Sequence, residues 1–436
     1  MPMSPDFNER LWPNLQVMTD YFGTPFHLYD EIGIRETGQS LLAAFGQLLP
    51  GFNNFYAIKA LPNPEILSTV KDLGMGFDCS SIPELNLARR AGATPEQIMF
   101  TSNNTSIEEL EAALAEGGCI LNLDDLSLIS RVPGPFPELI CFRYNPGPRR
   151  IISDGIFSSP ESCKYGVPHE QIIEAYRLAQ QRGARRFGLH TMVVSNELNA
   201  SCFVETTIML LDVAAMITAE LDITFEFINI GGGLGIPYRL DDQPIDLAWL
   251  AQEISNAIKQ FANRFGYQPR LFMECGRFIT GPHGALVARC INKKSGYQEF
   301  RGLDASAIST MMRPPMYHPN GGYHHLTVCD FRGRPKTKPP YLRINVVGSA
   351  CEDNDRFAWD RLLPDIEPGD LVIIHDTGAH CLAMANNYNG RLRAQELLLK
   401  DNDSVELIRR AETEVDLMAT LSFKEQNLLL IPQKAA

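Results

Sequence analysis

A regular alternation of short apolar runs and amphipathic segments between residues 54 and 274 constrains the fold of this chain most strongly. Eight such runs have the length and composition of buried strands, and the segments between them have helical spacing. Eight β/α units within about 220 residues predict a (β/α)8 barrel, and an open doubly wound sheet is the alternative on pattern alone. The eight runs are NFYAIKA (54–60), GFDCS (76–80), QIMFTS (97–102), CILNLD (119–124), LICFRYN (139–145), RFGLHTMVV (186–194), FEFINI (225–230) and RLFMECG (270–276).

The pattern changes after residue 276, where strand-like segments separated by turns replace the alternation. GALVARCINKK, LRINVVG and DLVIIHD are examples, and the early run TPFHLYD (24–30) can add a strand to the same unit. We therefore expect an α/β chain with a barrel over residues 31–276 and a β-rich domain over 277–436, joined by an N-terminal segment, 1–30.

Charge and cysteine usage exclude several classes of protein. The net charge of -13 disfavours nucleic acid as a partner, because a phosphate backbone repels an acidic surface. No apolar run approaches the length of a membrane span and the N-terminus lacks the features of a signal peptide, so no membrane partner is expected. The ten cysteines contain no CxxC pair, which predicts reduced thiols in a cytoplasmic protein and no metal site.

Two features of the predicted barrel are typical of a catalytic site. Lys59 stands near the end of the first strand, where the sites of such barrels lie and where desolvation can lower a lysine pKa and make the amine nucleophilic. GGGLG (231–235) follows the seventh strand, and successive glycines let backbone N–H groups approach a phosphate. A solvated lysine and a plain tight turn remain the alternatives for these features taken singly.

Four later motifs add charged and polar side chains. Each also has a structural interpretation, as a rim ion pair, a solvated acidic loop or an ordinary turn. A guanidinium such as that of Arg313, next to Tyr317, is suited to bind a carboxylate. The motifs are ECGR (274–277), MRPPMY (312–317), CEDND (351–355) and HDTGAHCLAMANNYNG (375–390).

In their order along nearly the whole chain, these motifs resemble those of the fold type III, alanine-racemase-like decarboxylases that use pyridoxal 5'-phosphate (PLP). Within that family the chain is most similar to the diaminopimelate decarboxylases. The resemblance is carried by YAIKA, FDCSS, NIGGGLG, ECGR, MRPPMY, CEDND and DTGAHCLAMANNYN.

The resemblance implies a role for each matching residue. Lys59 forms the Schiff base with PLP, Glu274 binds the pyridine nitrogen, and Cys351 protonates the carbanion from across a homodimer interface. The other cofactor contacts implied are Asp78, Met192, Ser195, Gly231, Gly232, Gly233, Arg277 and His380. The substrate contacts implied are Arg277, Arg313, Tyr317, Glu352 and Tyr388.

The chain departs from the family pattern at three positions. Met192 replaces the histidine that stacks on the cofactor ring, and His190, two residues earlier, is expected to face elsewhere. His380 replaces a tyrosine, and Cys275 replaces a proline. These departures leave the lysine, the pyridine carboxylate and the cysteine unchanged but bear on the substrate.

The resemblance implies decarboxylation of meso-diaminopimelate to L-lysine and CO2, in the pathway of lysine biosynthesis. Alternatives are a related decarboxylase for ornithine, lysine, arginine or a siderophore or antibiotic precursor, and a non-catalytic PLP-binding homologue. Arg313 disfavours substrates with only a distal ammonium. Retention of both Lys59 and Cys351 disfavours a non-catalytic protein.

Overall fold

Eight parallel strands close into a barrel in this computed structural model, which describes residues 3–150, 159–312 and 323–421. The strand order is β5-β4-β3-β2-β10-β9-β8-β6, and pairing of β5 with β6 closes the ring. The predicted barrel is confirmed, and the open sheet is excluded. The strands are β2 (Asn53–Ala57), β3 (Gly76–Cys79), β4 (Ile98–Phe100), β5 (Ile120–Leu123), β6 (Leu139–Asn145), β8 (Arg186–His190), β9 (Phe227–Asn229) and β10 (Arg270–Met273); the short β7 (Val167–Pro168) pairs with the end of β6.

Helices with polar outer faces surround the barrel. A capping box begins α5 (Ile107–Leu114): the Ser106 hydroxyl accepts from the Glu109 N–H, and the Glu109 carboxylate accepts from the Ser106 N–H. The surrounding helices are α2 (Glu31–Gly46), α3 (Pro64–Asp72), α4 (Ile82–Arg90), α5 (Ile107–Leu114), α6 (Ile172–Gln181), α7 (Ala200–Leu221) and α8 (Leu247–Phe265).

Helix α7 corrects one expectation from the sequence. Within the described residues it is the one helix that is long and apolar enough to cross a membrane by length and composition. Half of its most apolar window is buried inside the fold, through residues such as Phe203, Leu210 and Ile217. A buried core helix passes the same test, so this finding alone is weak evidence for a membrane span.

A second, nine-stranded sheet contains the strands that follow the barrel. Strand β1 (Phe26–Asp30) joins it, antiparallel to β11 and parallel to β17, and α1 (Pro5–Phe22) packs its apolar side on the same sheet. Strand β1 thus lies in the same sheet as strands that follow residue 276, and the division at residues 30 and 276 stays a prediction. The other strands are β11 (Gly284–Ser295), β12 (Glu299–Leu303), β13 (Leu326–Cys329), β14 (Tyr341–Val347), β15 (Arg356–Pro364), β16 (Leu371–Ile374), β17 (Gln395–Leu399) and β18 (Val405–Arg409), and the short helices are α9 (Arg277–Thr280), α10 (Cys381–Met384) and α11 (Glu414–Met418).

The barrel interior is apolar in one layer and polar in the next. A cluster of buried side chains from six strands fills the first layer. Successive side chains of a strand alternate between its faces, so the residue two positions further on points inward as well, nearer the carboxyl ends of the strands. The apolar cluster is Phe55, Met99, Ile120, Leu139, Cys141, Phe227 and Phe272. The next layer is polar and includes residues from β3 and β8. Its members are Asp78, Thr101, Asn122, Arg143, His190, Asn229 and Glu274.

Candidate active site

Lys59 and Asp78 form an ion pair at the carboxyl end of the barrel. Lys59 lies in a single 3-10 turn, Ile58–Ala60, directly after β2, and Asp78 lies on the neighbouring β3. The Lys59 Nζ is 2.6 Å from Asp78 Oδ2. The carboxylate is buried, whereas half of the lysine side chain is exposed. The amine therefore lies at the mouth of the barrel, where the buried Asp78 carboxylate is its ion-pair partner.

The pKa of Lys59 differs from the expectation based on desolvation. Burial favours the neutral amine, but the negative charges of Asp78 and Glu274 outweigh that effect and raise the pKa of Lys59 above its ordinary value. Burial, together with the charge of Glu274, raises the pKa of Asp78. In the cofactor-free protein the lysine is thus a protonated partner of a carboxylate.

Glu274 lies between a histidine and an asparagine. Its Oε1 accepts a hydrogen bond of 2.8 Å from Asn229 Nδ2, and its Oε2 is 3.4 Å from His190 Nε2. Burial opposes ionisation, but His190, Lys59 and the Asn229 amide outweigh it and hold the pKa of Glu274 well below its usual range. The expectation that His190 faces elsewhere is wrong. Its side chain is wholly buried in the polar layer, beside Glu274.

The alternation of side chains along β8 and β9 identifies His190 and Asn229 as inward-facing once the apolar layer of the barrel is known. Phe227 and Asn229 are two positions apart on β9, and Gly188 and His190 are two positions apart on β8. Because the strand period is two, an inward Phe227 predicts an inward Asn229 in the layer of Glu274. That argument needs the apolar layer to be known first.

The glycine loop after β9 passes through a space too narrow for side chains. Gly231 and Gly233 have φ values of 73° and 94°, which favour glycine. A Cβ on Gly232 would lie 2.6 Å from the Glu274 carbonyl oxygen, and one on Gly233 would lie 2.5 Å from the Val194 carbonyl oxygen. The backbone is therefore held against the ends of β8 and β10.

Arg277 places a guanidinium beside that loop. Its side chain is buried, with Nη2 donating to Ser195 Oγ at 3.2 Å and Nη1 donating to Tyr238 Oη at 3.0 Å. Both partners are neutral hydroxyls, and within the described ranges no carboxylate forms an ion pair with Arg277. The structure thus brings Ser195 and Arg277 together, and adds Tyr238, which sequence reasoning missed.

Met192 and His380 contact the same region through different groups. The Met192 sulfur accepts from the Gly232 N–H at 3.3 Å, so the thioether rests on the glycine loop. His380 has a φ of 63°, and its N–H donates to the Ala60 carbonyl oxygen at 2.7 Å. The segment that contains His380 is thereby connected to the turn that carries Lys59.

Cys351, Glu352 and Tyr388 belong to the β-rich domain. Cys351 is exposed, and its N–H donates to Asn389 Oδ1 at 2.6 Å, which joins the acidic loop to the turn that begins at Tyr388. The Glu352 carboxylate accepts from the Asn354 side chain at 3.1 Å, and half of the Tyr388 side chain is exposed. Arg313 and Tyr317 lie outside the described residues.

The residues present fit a phosphorylated pyridine aldehyde. Lys59 provides an amine at the mouth of the barrel, and the glycine loop provides backbone N–H groups close to Ser195 and Arg277. Glu274 provides a carboxylate whose pKa lies below its ordinary value. One further group is available, because the buried Asp78 Oδ1 has no hydrogen-bond partner among the described residues. These groups match the amine-reactive, anionic and basic parts of such a cofactor.

The family model for pyridoxal-dependent decarboxylases, pyridoxal binding domain, matches residues 37–281, more than half of the chain. The chain belongs to this family. The enzyme is therefore a PLP-dependent amino-acid decarboxylase of fold type III, a carboxy-lyase.

Curated proteins and solved structures are similar to the decarboxylase over almost its whole length. Protein TabA of Pseudomonas amygdali pv. tabaci is 46% identical, over 95% of this chain and 94% of that protein. The diaminopimelate decarboxylase of Methanothermobacter thermautotrophicus is 35% identical, over 92% of each chain. The crystal structure of diaminopimelate decarboxylase from M. jannaschi superposes with a TM-score of 0.85, at 29% identity and 95% coverage of both chains.

Proposed function

We propose that the enzyme decarboxylates meso-diaminopimelate to L-lysine and CO2, in the cytoplasm and in lysine biosynthesis. The proposal is supported by the similarity to diaminopimelate decarboxylases, one of which, from Helicobacter pylori, was crystallised with L-lysine. The observation that carries it is the cluster of Lys59, at the mouth of the barrel, with the buried carboxylates of Asp78 and Glu274.

PLP bound in this layer supplies an electron sink for the pair of electrons left when CO2 departs. In the proposal Lys59 is the attachment point, and Gly231, Gly232 and Gly233 hold the phosphate with Ser195 and Arg277. Glu274 holds the pyridine nitrogen, and its low pKa favours a proton on that nitrogen. Borohydride reduction of the purified enzyme should fix the cofactor to the peptide containing Lys59, and label on any other lysine would contradict the assignment.

Asp78 controls the proton of the attachment lysine. The amine must lose a proton before its nitrogen can form a bond to a carbonyl carbon. Asp78 Oδ2, 2.6 Å from Nζ, can take up that proton, and the raised pKa of Asp78 supports this transfer. Met192 and His380 are proposed to flank the cofactor, because they contact the glycine loop and the lysine turn.

Cys351 is proposed to complete the site of a second subunit in a homodimer. Its hydrogen bond lies within the β-rich domain, and its side chain is exposed on the single chain. A thiol brought into the facing barrel can deliver a proton to the carbon that has lost CO2. Glu352 and Tyr388 are adjacent in this loop and turn, so the same docking would bring them to the substrate.

The second carboxylate of the substrate is proposed to bind arginine. Arg277, proposed above to contact the phosphate, has only hydroxyl partners in the described structure, so its guanidinium can also contact a second anion. Arg313 and Tyr317 are proposed as the other contacts, on the family resemblance. A guanidinium that attracts a distal carboxylate repels a distal ammonium, which favours dicarboxylic substrates over lysine and ornithine.

A second candidate function is decarboxylation of another amino acid that carries a distal acidic group. It is favoured by Met192, which puts a thioether against the glycine loop. Arginine recognition at the far end of the substrate is common to both candidates.

Release of CO2 from diaminopimelate, lysine, ornithine and arginine tests the proposal directly. We expect diaminopimelate to exceed lysine and ornithine by about a hundredfold in kcat/KM, or about 2.7 kcal/mol. Arg313→Ala should remove most of that margin, and Arg332→Ala, at an exposed arginine, should not. A wild-type preference for lysine or ornithine would overturn the proposal, and activity on none of the four would favour the second candidate.

A further inference from the structure

We infer that His190 is a positioning residue, which orients the Glu274 carboxylate through its Nε2–H and keeps it ionised for the pyridine nitrogen of the cofactor. The inference rests on the proposed contact between Glu274 and that nitrogen. It concerns how the protein controls the protonation of the cofactor rather than which substrate is used.

The hydrogen bonds of His190 determine which ring nitrogen carries the proton. Nδ1 is 2.8 Å from Asn122 Nδ2, and the same amide is 3.0 Å from Thr101 Oγ1. As the Asn122 amide is placed, its nitrogen donates, so Nδ1 accepts and the ring proton stands on Nε2. Nε2 is the atom that lies 3.4 Å from Glu274 Oε2.

The carboxylate is fixed on both of its oxygens by different elements. Asn229 from β9 donates to Oε1 at 2.8 Å, and His190 from β8 faces Oε2. Asn229 is itself oriented, because its Oδ1 accepts from the Gly231 N–H at 2.9 Å. Rotation of the carboxylate away from His190 would therefore also break its hydrogen bond with Asn229.

The burial of His190 makes this contact energetically important. Its Nε2 is buried and forms no hydrogen bond within the described structure, although it lies 3.4 Å from a Glu274 carboxylate oxygen. The other charged groups that face Glu274 are Lys59 and Asp78, which pair with each other. His190 is thus the group that stabilises the Glu274 charge without being engaged elsewhere in an ion pair.

Removal of the His190 donor should make Glu274 more basic. The proton shared between Glu274 and a pyridine nitrogen would then shift towards the carboxylate, leaving the ring nitrogen neutral for a larger fraction of the time. His190→Leu removes the donor. His190→Gln retains an N–H that can reach the carboxylate and cannot itself carry a charge.

The experiment uses holoenzyme that contains PLP labelled with ¹⁵N in the ring, observed by solid-state NMR. In wild type we expect the chemical shift of a protonated ring nitrogen. In His190→Leu we expect a shift towards the neutral value and at least a tenfold rise in the PLP dissociation constant, with His190→Gln within threefold of wild type. His27→Leu is the matched control, since His27 is an equally buried histidine whose Nε2 contacts the Thr310 carbonyl oxygen in the other domain.

An unchanged ring-nitrogen shift and unchanged PLP affinity in folded His190→Leu would overturn the inference. Glu274→Gln separates its failure from that of the proposed function: if that variant also leaves the nitrogen unchanged, Glu274 is not the partner of the ring. If His190→Leu does not fold, ¹⁵N-histidine spectra of wild type, assigned with His190→Gln, decide the matter. A proton on Nε2 of His190 supports the inference, and a proton on Nδ1 alone contradicts it.

Discussion

Replacement of Asp78 by asparagine should lower the pKa of Lys59. The charges are 2.6 Å apart, which corresponds to about 1.6 kcal/mol in bulk water and about 6 kcal/mol at an effective dielectric constant of ~20. Half of the lysine side chain is exposed, so the lower figure is the better guide. At about 1.4 kcal/mol per pH unit, we expect the pKa of Lys59 to fall by at least about one unit.

Trace acetylation of the cofactor-free enzyme over a range of pH, with mass spectrometry of the Lys59 peptide, measures that pKa directly. Asp72→Asn is the control, because Asp72 is an exposed carboxylate whose ion pair is with Arg35. The sign of the shift follows from the pair: the carboxylate stabilises the ammonium, so its removal makes the amine neutral at lower pH. A change below about 0.3 unit in Asp78→Asn, or a rise, would refute the reasoning.

Three further predictions concern the dimer, the cofactor cradle and stability. Mixing Lys59→Ala subunits with Cys351→Ala subunits should restore up to about a quarter of wild-type activity, and no recovery from verified heterodimers would count against a shared site. Gly232→Ala places a Cβ 2.6 Å from a backbone carbonyl oxygen, so dialysis should show at least about tenfold weaker PLP binding, whereas Gly296→Ala, where the Cβ meets nothing within 4 Å, should bind normally. Burial raises the pKa of Asp376 to about 8, so the folded protein holds a proton that the unfolded chain releases, and stability should fall from pH 5 to 9. The melting temperature of Asp376→Asn should fall less than that of wild type over this pH range. Parallel curves of melting temperature against pH for the two proteins would show that Asp376 is not responsible.

The barrel and its lysine were predictable because their signals are local. Each of the eight strand segments is a short apolar run, and seven of them contain the whole strand that the structure has there, while β2 begins one residue before its segment, at Asn53. Lys59 and Glu274 each lie near the end of such a run, and the carboxyl ends of parallel strands meet at one face. Strand β1 was predictable for the same reason, since Phe26–Asp30 is an apolar run before the first barrel unit.

The contacts between these residues were not predictable, because they depend on which strands are neighbours. Asp78 raises the pKa of Lys59 only because β3 pairs with β2, with Ala57 opposite Asp78. Desolvation alone, which is a property of one residue, gave the opposite sign. The apolar helix α7 shows the converse: its composition is that of a membrane span, and only its packing shows which residues the fold buries.

The positions of His190 and Met192 indicate what changes when a methionine replaces the family histidine at position 192. His190 faces Glu274, at the pyridine-nitrogen end of the proposed site, whereas the Met192 sulfur contacts the Gly232 N–H, at the phosphate end. Lys59, Asp78, Glu274 and His190 therefore interact with one another without a group at position 192. A thioether there alters the surface against which the cofactor rests and leaves the protonation of the ring nitrogen to Glu274 and His190. The substitution should consequently affect substrate fit more than the electron-sink chemistry, which agrees with an active decarboxylase of altered specificity.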